Sequence, residues 1–181
     1  MIFKKCKEKE DYWIKVDTMN IKDFDLEELL LAAIKSEIDS RNLYLEITKK
    51  TKNGLLSDKL KFIANEEKKH QIFIQDVYKN HYPRKKIVIP EKTFVPIPKI
   101  SITDDMKVSK LLKIAMDAEQ IASDFYKSLS DYFEKDSKLQ NTLLYFSDME
   151  NGHYKILEIE KESIDRFEES DVYWPMVHAG P

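Results

Sequence analysis

The sequence predicts an all-α protein, a four-helix bundle made of two helical hairpins joined by a long crossover. The first observation is composition, because only 3 of the 181 residues are glycine and segments of good helix formers dominate. The second is a motif that occurs twice, each time spread over a whole helical hairpin. The third is size, since four helices of about 25 to 30 residues would use most of the chain and bury one core. One domain is therefore expected.

The repeated motif is a Glu followed three positions later by a His, with a further Glu one helix-length upstream. In a helix, residues at the Glu-x-x-His spacing leave one face about a turn apart and can bind the same metal ion. The six residues are Glu37, Glu67 and His70 in the first half and Glu119, Glu150 and His153 in the second. A single Glu-x-x-His means little, but two copies in the same context predict that the six side chains converge.

The charge of such a cluster predicts what it binds. An unpaired buried ion is unfavourable by several kcal/mol, so four inward carboxylates require positive charge among them. Two divalent cations would balance the four carboxylates, and neutral imidazoles would complete each coordination sphere. Oxygen and imidazole ligands without thiolate favour iron or manganese, with zinc as a common substitute. The sequence therefore predicts two metal ions, iron before manganese or zinc.

One tyrosine follows the first Glu of each half at the same distance, Tyr44 after Glu37 and Tyr126 after Glu119. The separation is close to two helical turns, so each tyrosine is expected on the stripe of its carboxylate, about 10 Å further along the axis. The hydroxyls could hydrogen-bond the carboxylates or quench radicals. Ordinary core packing with a satisfied hydroxyl is the alternative.

Composition excludes several classes of partner. Lys+Arg 30 against Asp+Glu 33 gives a net charge of −3, which favours neither nucleic acid nor an anionic membrane as a partner. No apolar run approaches the roughly 18 residues of a membrane span, and the first residues contain no apolar signal core. Cys6 is the single cysteine, which excludes an internal disulfide and a Cys-x-x-Cys metal site. We expect a soluble, cytoplasmic protein.

The six spaced residues, together with phrases such as Leu112 to Glu119 and Phe62 to His70, resemble the rubrerythrin branch of the ferritin-like superfamily. The resemblance covers roughly residues 24 to 169. It implies a ferritin-like bundle with a long connection between the second and third helices. It also implies a di-iron oxidoreductase that reduces peroxide or dioxygen, with Fe(II) or an external electron-transfer protein as the donor.

The resemblance further implies a role for each ligand. Glu67 and Glu150 would bridge the two metals. Each metal would then have its own carboxylate and imidazole, from Glu37 with His70 and from Glu119 with His153.

The sequence departs from the rubrerythrin pattern at two places. Many rubrerythrins carry a rubredoxin-type iron site held by four cysteines, and a chain with Cys6 alone cannot build one. That branch usually has a further Glu one turn after the third-helix ligand, and this position is Ala122. The four Glu and two His that are left match bacterioferritin-like sites. An iron-binding or storage protein, or a bundle with purely structural metals, therefore remains an alternative.

The first hairpin is bounded by clear helix signals. Asp25 with Glu28 predicts a capping box for the first helix, which Asn53 and Gly54 then end. The second helix is expected from about Leu56.

Residues 81–105 change character, because four prolines interrupt two short apolar runs and prevent a continuous helix. The prolines are Pro83, Pro90, Pro96 and Pro98. This segment is expected to be a crossover strap across the bundle. We also expect the protein to form a homodimer. The strap would allow two chains to exchange hairpins, so the homodimer could be domain-swapped.

The second hairpin is predicted from a third helix over 108–134 and a fourth that continues to about Glu169. Ser137 with Gln140 predicts a capping box for the fourth helix. Gly152 lowers the propensity of that helix by about 1 kcal/mol relative to Ala. We interpret it as a place where a neighbouring helix comes close.

Residues 23–170 are thus the predicted bundle, flanked by an N-terminal extension (1–22) and a C-terminal tail (171–181). The extension shows no clean periodicity and is expected to be a frayed or packed arm, or an arm that binds a partner. The tail is rich in aromatic residues for a chain terminus. We expect it to dock on the bundle or on a dimer partner, with a disordered end as the alternative.

Overall fold

Four helices account for most of the part of the chain that the structure describes. The structure is a computed structural model and describes residues 21–91, 103 and 105–173, apart from the side chains of 22 and 167–173. The helices are α1 (Leu26–Lys50), α2 (Gly54–His81), α3 (Val108–Ser130) and α4 (Ser137–Tyr173). Short 3-10 segments, Ile21–Asp23 and Asp131–Phe133, precede α1 and follow α3. The described residues contain no strand, and the predicted all-α helical bundle is confirmed.

The helices pack as two hairpins, α1 with α2 and α3 with α4, which meet mainly through α1 against α3 and α2 against α4. Two apolar clusters fill the bundle, and every helix contributes to both. One cluster contains Leu30, Tyr78 and Leu129, and the other contains Leu60 and Leu112. Each fully buried aliphatic side chain contributes about 1.5 to 3 kcal/mol. On every helix, the Glu-containing segment lies between residues of the two clusters, which places a polar layer at mid-height.

The predicted start of α1 is confirmed in detail. The backbone N–H of Glu28 donates to Oδ1 of Asp25 at 2.8 Å, and the N–H of Asp25 donates to Oε2 of Glu28 at 3.2 Å. This reciprocal pair is the capping box and satisfies two N–H groups that lack partners within the helix. The side chain of Asn53 caps α2 by accepting from the N–H of Leu56 at 3.1 Å, so α2 begins slightly earlier than predicted.

Three boundaries in the second hairpin differ from the prediction. Helix α4 runs to Tyr173, past its predicted end near Glu169. Helix α3 ends at Ser130, and the 3-10 segment carries the chain to Phe133. The predicted cap of α4 by Ser137 is wrong, because the N–H of Leu139 donates to Oδ1 of Asp136 at 3.1 Å. Asp136 and Ser137 are both good capping residues, and the carboxylate is the one placed at the N-cap position.

The prediction for Gly152 is also wrong. A Cβ atom added at this position would have no heavy atom within 4 Å, apart from its own helix backbone and chain neighbours. The glycine therefore faces open space, and no neighbouring helix requires it.

Some predictions fall on other parts of the chain. Nearly all of the N-terminal extension, the strap from 92 to 102 and the tail from 174 to 181 lie outside the described residues. Within the part that is described, none of the helices combines the length and the apolar character needed to cross a membrane.

Candidate metal centre

All six residues singled out from the repeated motif lie together in the polar layer between the two apolar clusters. Each is at most 3% exposed. They form two groups whose potential ligand atoms lie within 4.8 Å of one another. One group is Glu37, Glu67, His70 and Glu150, and the other is Glu67, Glu119, Glu150 and His153. Glu67 and Glu150 belong to both groups.

The first group surrounds Nδ1 of His70. This atom lies 2.9 Å from Oε1 of Glu150, 3.5 Å from Oε2 of Glu67 and 3.6 Å from Oε2 of Glu37. None of these approaches has the geometry of a hydrogen bond, so Nδ1 of His70 is buried without a hydrogen-bond partner. The atoms approach one another as the ligands of a common cation would.

The second group places the same kinds of side chain around Nδ1 of His153, but here the approach to Glu150 is a hydrogen bond. The atom lies 3.0 Å from Oε2 of Glu150, 3.2 Å from Oε1 of Glu67 and 3.5 Å from Oε2 of Glu119. Glu67 and Glu150 therefore each direct one oxygen to His70 and the other oxygen to His153.

Unpartnered buried atoms test whether these residues suit metal ions. Four carboxylate oxygens in the cluster are fully buried without a hydrogen-bond partner: Glu37 Oε2, Glu67 Oε1, Glu119 Oε1 and Glu150 Oε1. Buried polar groups are normally paired, and leaving one unpaired is unfavourable by about 1 to 3 kcal/mol. Oxygen atoms with free lone pairs, alternating with imidazole nitrogens, are the donor set of iron and manganese sites. The residues present fit two such ions.

The pKa values of the cluster show the same need for positive charge. Burial, and next to it the charge of Glu67, raises the pKa of Glu37 well above its usual value, and burial with the charge of Glu150 does the same for Glu119. Burial alone would lower the pKa of His70, but its contacts with the surrounding carboxylates outweigh this and raise the pKa to about 12. In the metal-free protein, protons thus supply the positive charge that the carboxylates require.

The two tyrosines differ in their contacts. The hydroxyl of Tyr126 donates a hydrogen bond to Oε1 of Glu37, across the interface between α3 and α1. Burial and the charge of Glu37 raise the pKa of Tyr126 well above its usual value, so this hydroxyl keeps its proton. The hydroxyl of Tyr44 is also buried, but it has no hydrogen-bond partner among the described residues.

An aromatic contact with His70 was not predicted from the sequence. The ring of Phe146 packs against the imidazole with centroids 4.2 Å apart and planes inclined by 31°. Phe146 also contacts Tyr126 edge-on at 5.5 Å and Phe73 at 5.1 Å. Its place on the inward stripe of α4 indicates burial, but nothing in the sequence indicates which ligand it contacts.

A second feature without a sequence signal is a polar network that joins α3 to α4 beside the ligands. The hydroxyl of Ser123 donates to the carbonyl oxygen of Ser147 at 3.0 Å. The side-chain amide of Asn151, next to Glu150, donates to Ser123 Oγ at 2.8 Å and to the Ser147 carbonyl at 3.1 Å. This network links α3 to α4 close to Glu119 and Glu150.

Glu66 stands beside the cluster without joining it. Its Oε1 pairs with Nζ of Lys69 at 2.7 Å, and it belongs to neither group. It therefore provides a control position for substitutions in the cluster.

A ferritin-like helical bundle with two carboxylate and imidazole groups that share two residues defines the class of this protein. The sequence model of the Rubrerythrin family matches residues 28–161, and the chain belongs to that family. The family and the geometry together indicate a two-metal site.

A solved structure agrees with this assignment. A hypothetical protein from Pyrococcus furiosus is 34% identical to this chain, with a TM-score of 0.75 over 82% of this chain and 95% of the other. Among curated proteins, no relative matches the chain.

Proposed function

We propose that this protein is a di-iron oxidoreductase that reduces peroxide or dioxygen, with Fe(II) or an external electron-transfer protein as the electron donor. The observation that carries the proposal is that Glu67 and Glu150 each direct one oxygen to each of the two imidazoles. Carboxylates in this orientation suit a pair of neighbouring ions better than one ion or a hydrogen-bonded network.

The ligand roles follow from that orientation. Glu67 and Glu150 would bridge the two ions, and the remaining residues would provide one carboxylate and one imidazole for each ion, Glu37 with His70 and Glu119 with His153. Two divalent cations neutralise the four carboxylates. The metals are iron in this proposal, with manganese or zinc as alternatives that suit the same ligands.

A pair of iron ions, when bound, supplies one electron each to a small oxidant. Reduction of hydrogen peroxide to two molecules of water consumes those two electrons and two protons. The buried ligands restrict the oxidant to a small molecule, since all six are at most 3% exposed. Tyr126 orients Glu37 through its hydroxyl, and because its pKa is raised it acts as a hydrogen-bond donor that keeps its proton.

Rapid mixing of the Fe(II)-loaded protein with peroxide, and separately with dioxygen, tests the proposal. The absorbance of Fe(III) is expected to develop within a single turnover with at least one of the two oxidants. The Glu66→Ala variant should behave like the wild type, because Glu66 lies outside both ligand groups. A protein that binds two iron ions but never develops Fe(III) absorbance has only structural metals.

A second candidate function is iron binding or storage. It is favoured by Ala122, which stands where rubrerythrins usually have a further Glu one turn after the third-helix ligand. Ala122 is buried at 7% exposure and provides no ligand, so the cluster keeps four Glu and two His. Storage requires a closed shell of many subunits. Light scattering of the full chain distinguishes the two functions, because a particle of only one or two chains cannot store iron.

A further inference from the structure

We propose that the two metal positions are unequal: the Glu37–His70 position fills first and holds its ion more tightly than the Glu119–His153 position. Tyr126 and Phe146 are the positioning residues that create the difference. This inference rests on the proposed two-metal function, but it concerns the order and affinity of binding rather than the reaction.

The first difference lies in the carboxylates. Glu37 accepts a hydrogen bond from Tyr126 through Oε1, which leaves Oε2 free and directed at His70. Glu119 would receive the equivalent bond from Tyr44, which occupies the same place on α1 as Tyr126 on α3. That bond is absent, and both the Tyr44 hydroxyl and Oε1 of Glu119 are buried without a hydrogen-bond partner among the described residues. Glu37 is therefore oriented by a tyrosine hydroxyl, and Glu119 lacks this support.

The second difference lies in the imidazoles. Phe146 stands four positions before Glu150 and packs on His70 at 4.2 Å between centroids. The residue four positions before Glu67 is Ile63, which has no ring to place on His153. Among the described residues, the ring contact of His153 is with His70 alone, at 6.2 Å.

Both differences favour the same position. A ligand that is already oriented loses less conformational entropy when an ion binds, and loss of an outer partner of a metal ligand typically weakens affinity by about 10- to 100-fold. The ring of Phe146 restricts the orientation of His70 in the same way. The hydrogen bond from Tyr126 withdraws some charge from Glu37, but its free Oε2 keeps its lone pairs for the ion.

Anomalous scattering locates the first ion directly. Crystals of the full chain with one equivalent of Co²⁺ are expected to show at least about tenfold higher occupancy at Glu37–His70 than at Glu119–His153. The location matters more than the number of binding steps, because the first cation repels the second even between two equal positions.

Matched substitutions assign the cause. Tyr126→Phe should bring the two occupancies closer to equal and raise the first Co²⁺ dissociation constant, measured by calorimetry, by about tenfold. Tyr44→Phe should change neither the occupancies nor this dissociation constant. Both variants keep the ring, so the fold is preserved, and thermal melts of the metal-free proteins check this. Phe146→Ile should act in the same direction as Tyr126→Phe.

The outcomes separate the two proposals. Equal occupancies, a first ion at Glu119–His153, or a Tyr44→Phe effect as large as that of Tyr126→Phe would overturn the inference while the two-metal function stands. A chain that binds no Co²⁺ at either position would instead remove the proposed function, and the inference with it.

Discussion

The two hairpins supply the same proposed ligands in the same order, yet the residues around those ligands differ between the hairpins. The second hairpin has an internal polar network of Ser123, Ser147 and Asn151. The corresponding positions of the first hairpin are Arg41, Ala64 and Lys68. The second hairpin also supports ligands of the first, since Tyr126 bonds Glu37 and Phe146 packs on His70. No equivalent contact runs in the other direction among the described residues. The repeat therefore preserves the ligand set but not the surroundings that orient it.

The largest expected effect is on metal content, and it differs between the two carboxylates shared by both groups and the two that belong to one group each. Glu67→Ala or Glu150→Ala should remove both metal ions, because each carboxylate belongs to both groups. Glu37→Ala and Glu119→Ala should each remove mainly one. Metal analysis of the purified variants measures this, with Glu66→Ala as the control. Full metal content in both shared-ligand variants would contradict the bridging roles.

Metal removal should also lower stability, since an ion that binds only the folded protein stabilises it. The expected loss on chelation is about 4 kcal/mol when the free metal is 1,000 times its dissociation constant. The thermal melting temperature should fall accordingly in the presence of a chelator. An unchanged melt, with metal shown to be gone, would mean that the polar layer is stable without cations.

The protons released when metal binds provide a test of the charge balance in the cluster. The pKa of His70 is raised to about 12 in the metal-free protein, and that of His153 is raised as well. Both imidazoles are then protonated and must lose their protons to bind metal. Metal affinity should therefore rise with pH, by about tenfold per pH unit for each proton released. Calorimetry in buffers of different ionisation enthalpy counts those protons, and a count of zero would contradict this picture.

The polar network of the second hairpin predicts a smaller effect. Ser123→Ala removes the buried hydroxyl that donates to the Ser147 carbonyl and accepts from the Asn151 amide, and should destabilise the protein by about 0.5 to 1.5 kcal/mol. Chemical denaturation of the metal-free protein measures the loss. Ser128→Ala is the control, because the hydrogen bond of Ser128 is solvent-exposed and lies within its own helix. Equal effects of the two substitutions would show that the network contributes nothing specific.

The comparison of the hairpins also shows how far a sequence can be interpreted. The six clustered residues could be predicted because each Glu-x-x-His lies on one helical face, a local property, and because the motif is repeated. The contact of Phe146 with His70 depends on how α4 is rotated against α2, and the sequence spacing does not determine that rotation. The same is true of Tyr44 and Tyr126, whose equal spacing did not indicate that, of these two, Tyr126 alone bonds a carboxylate. The cap of α4 was missed because Asp136 and Ser137 are adjacent and both suit the position.

The smallest expected effect concerns Gly152, which occupies the position that Lys69 has in the first hairpin. Because a Cβ at Gly152 meets open space, Gly152→Ala should stabilise α4 by up to about 1 kcal/mol through helix propensity alone. Chemical denaturation of the metal-free protein measures the gain, and metal content should not change. A loss of stability would mean that this surface is covered in the assembled protein, for example by a second chain. The substitution therefore tests whether the surface of α4 at Gly152 remains open in solution.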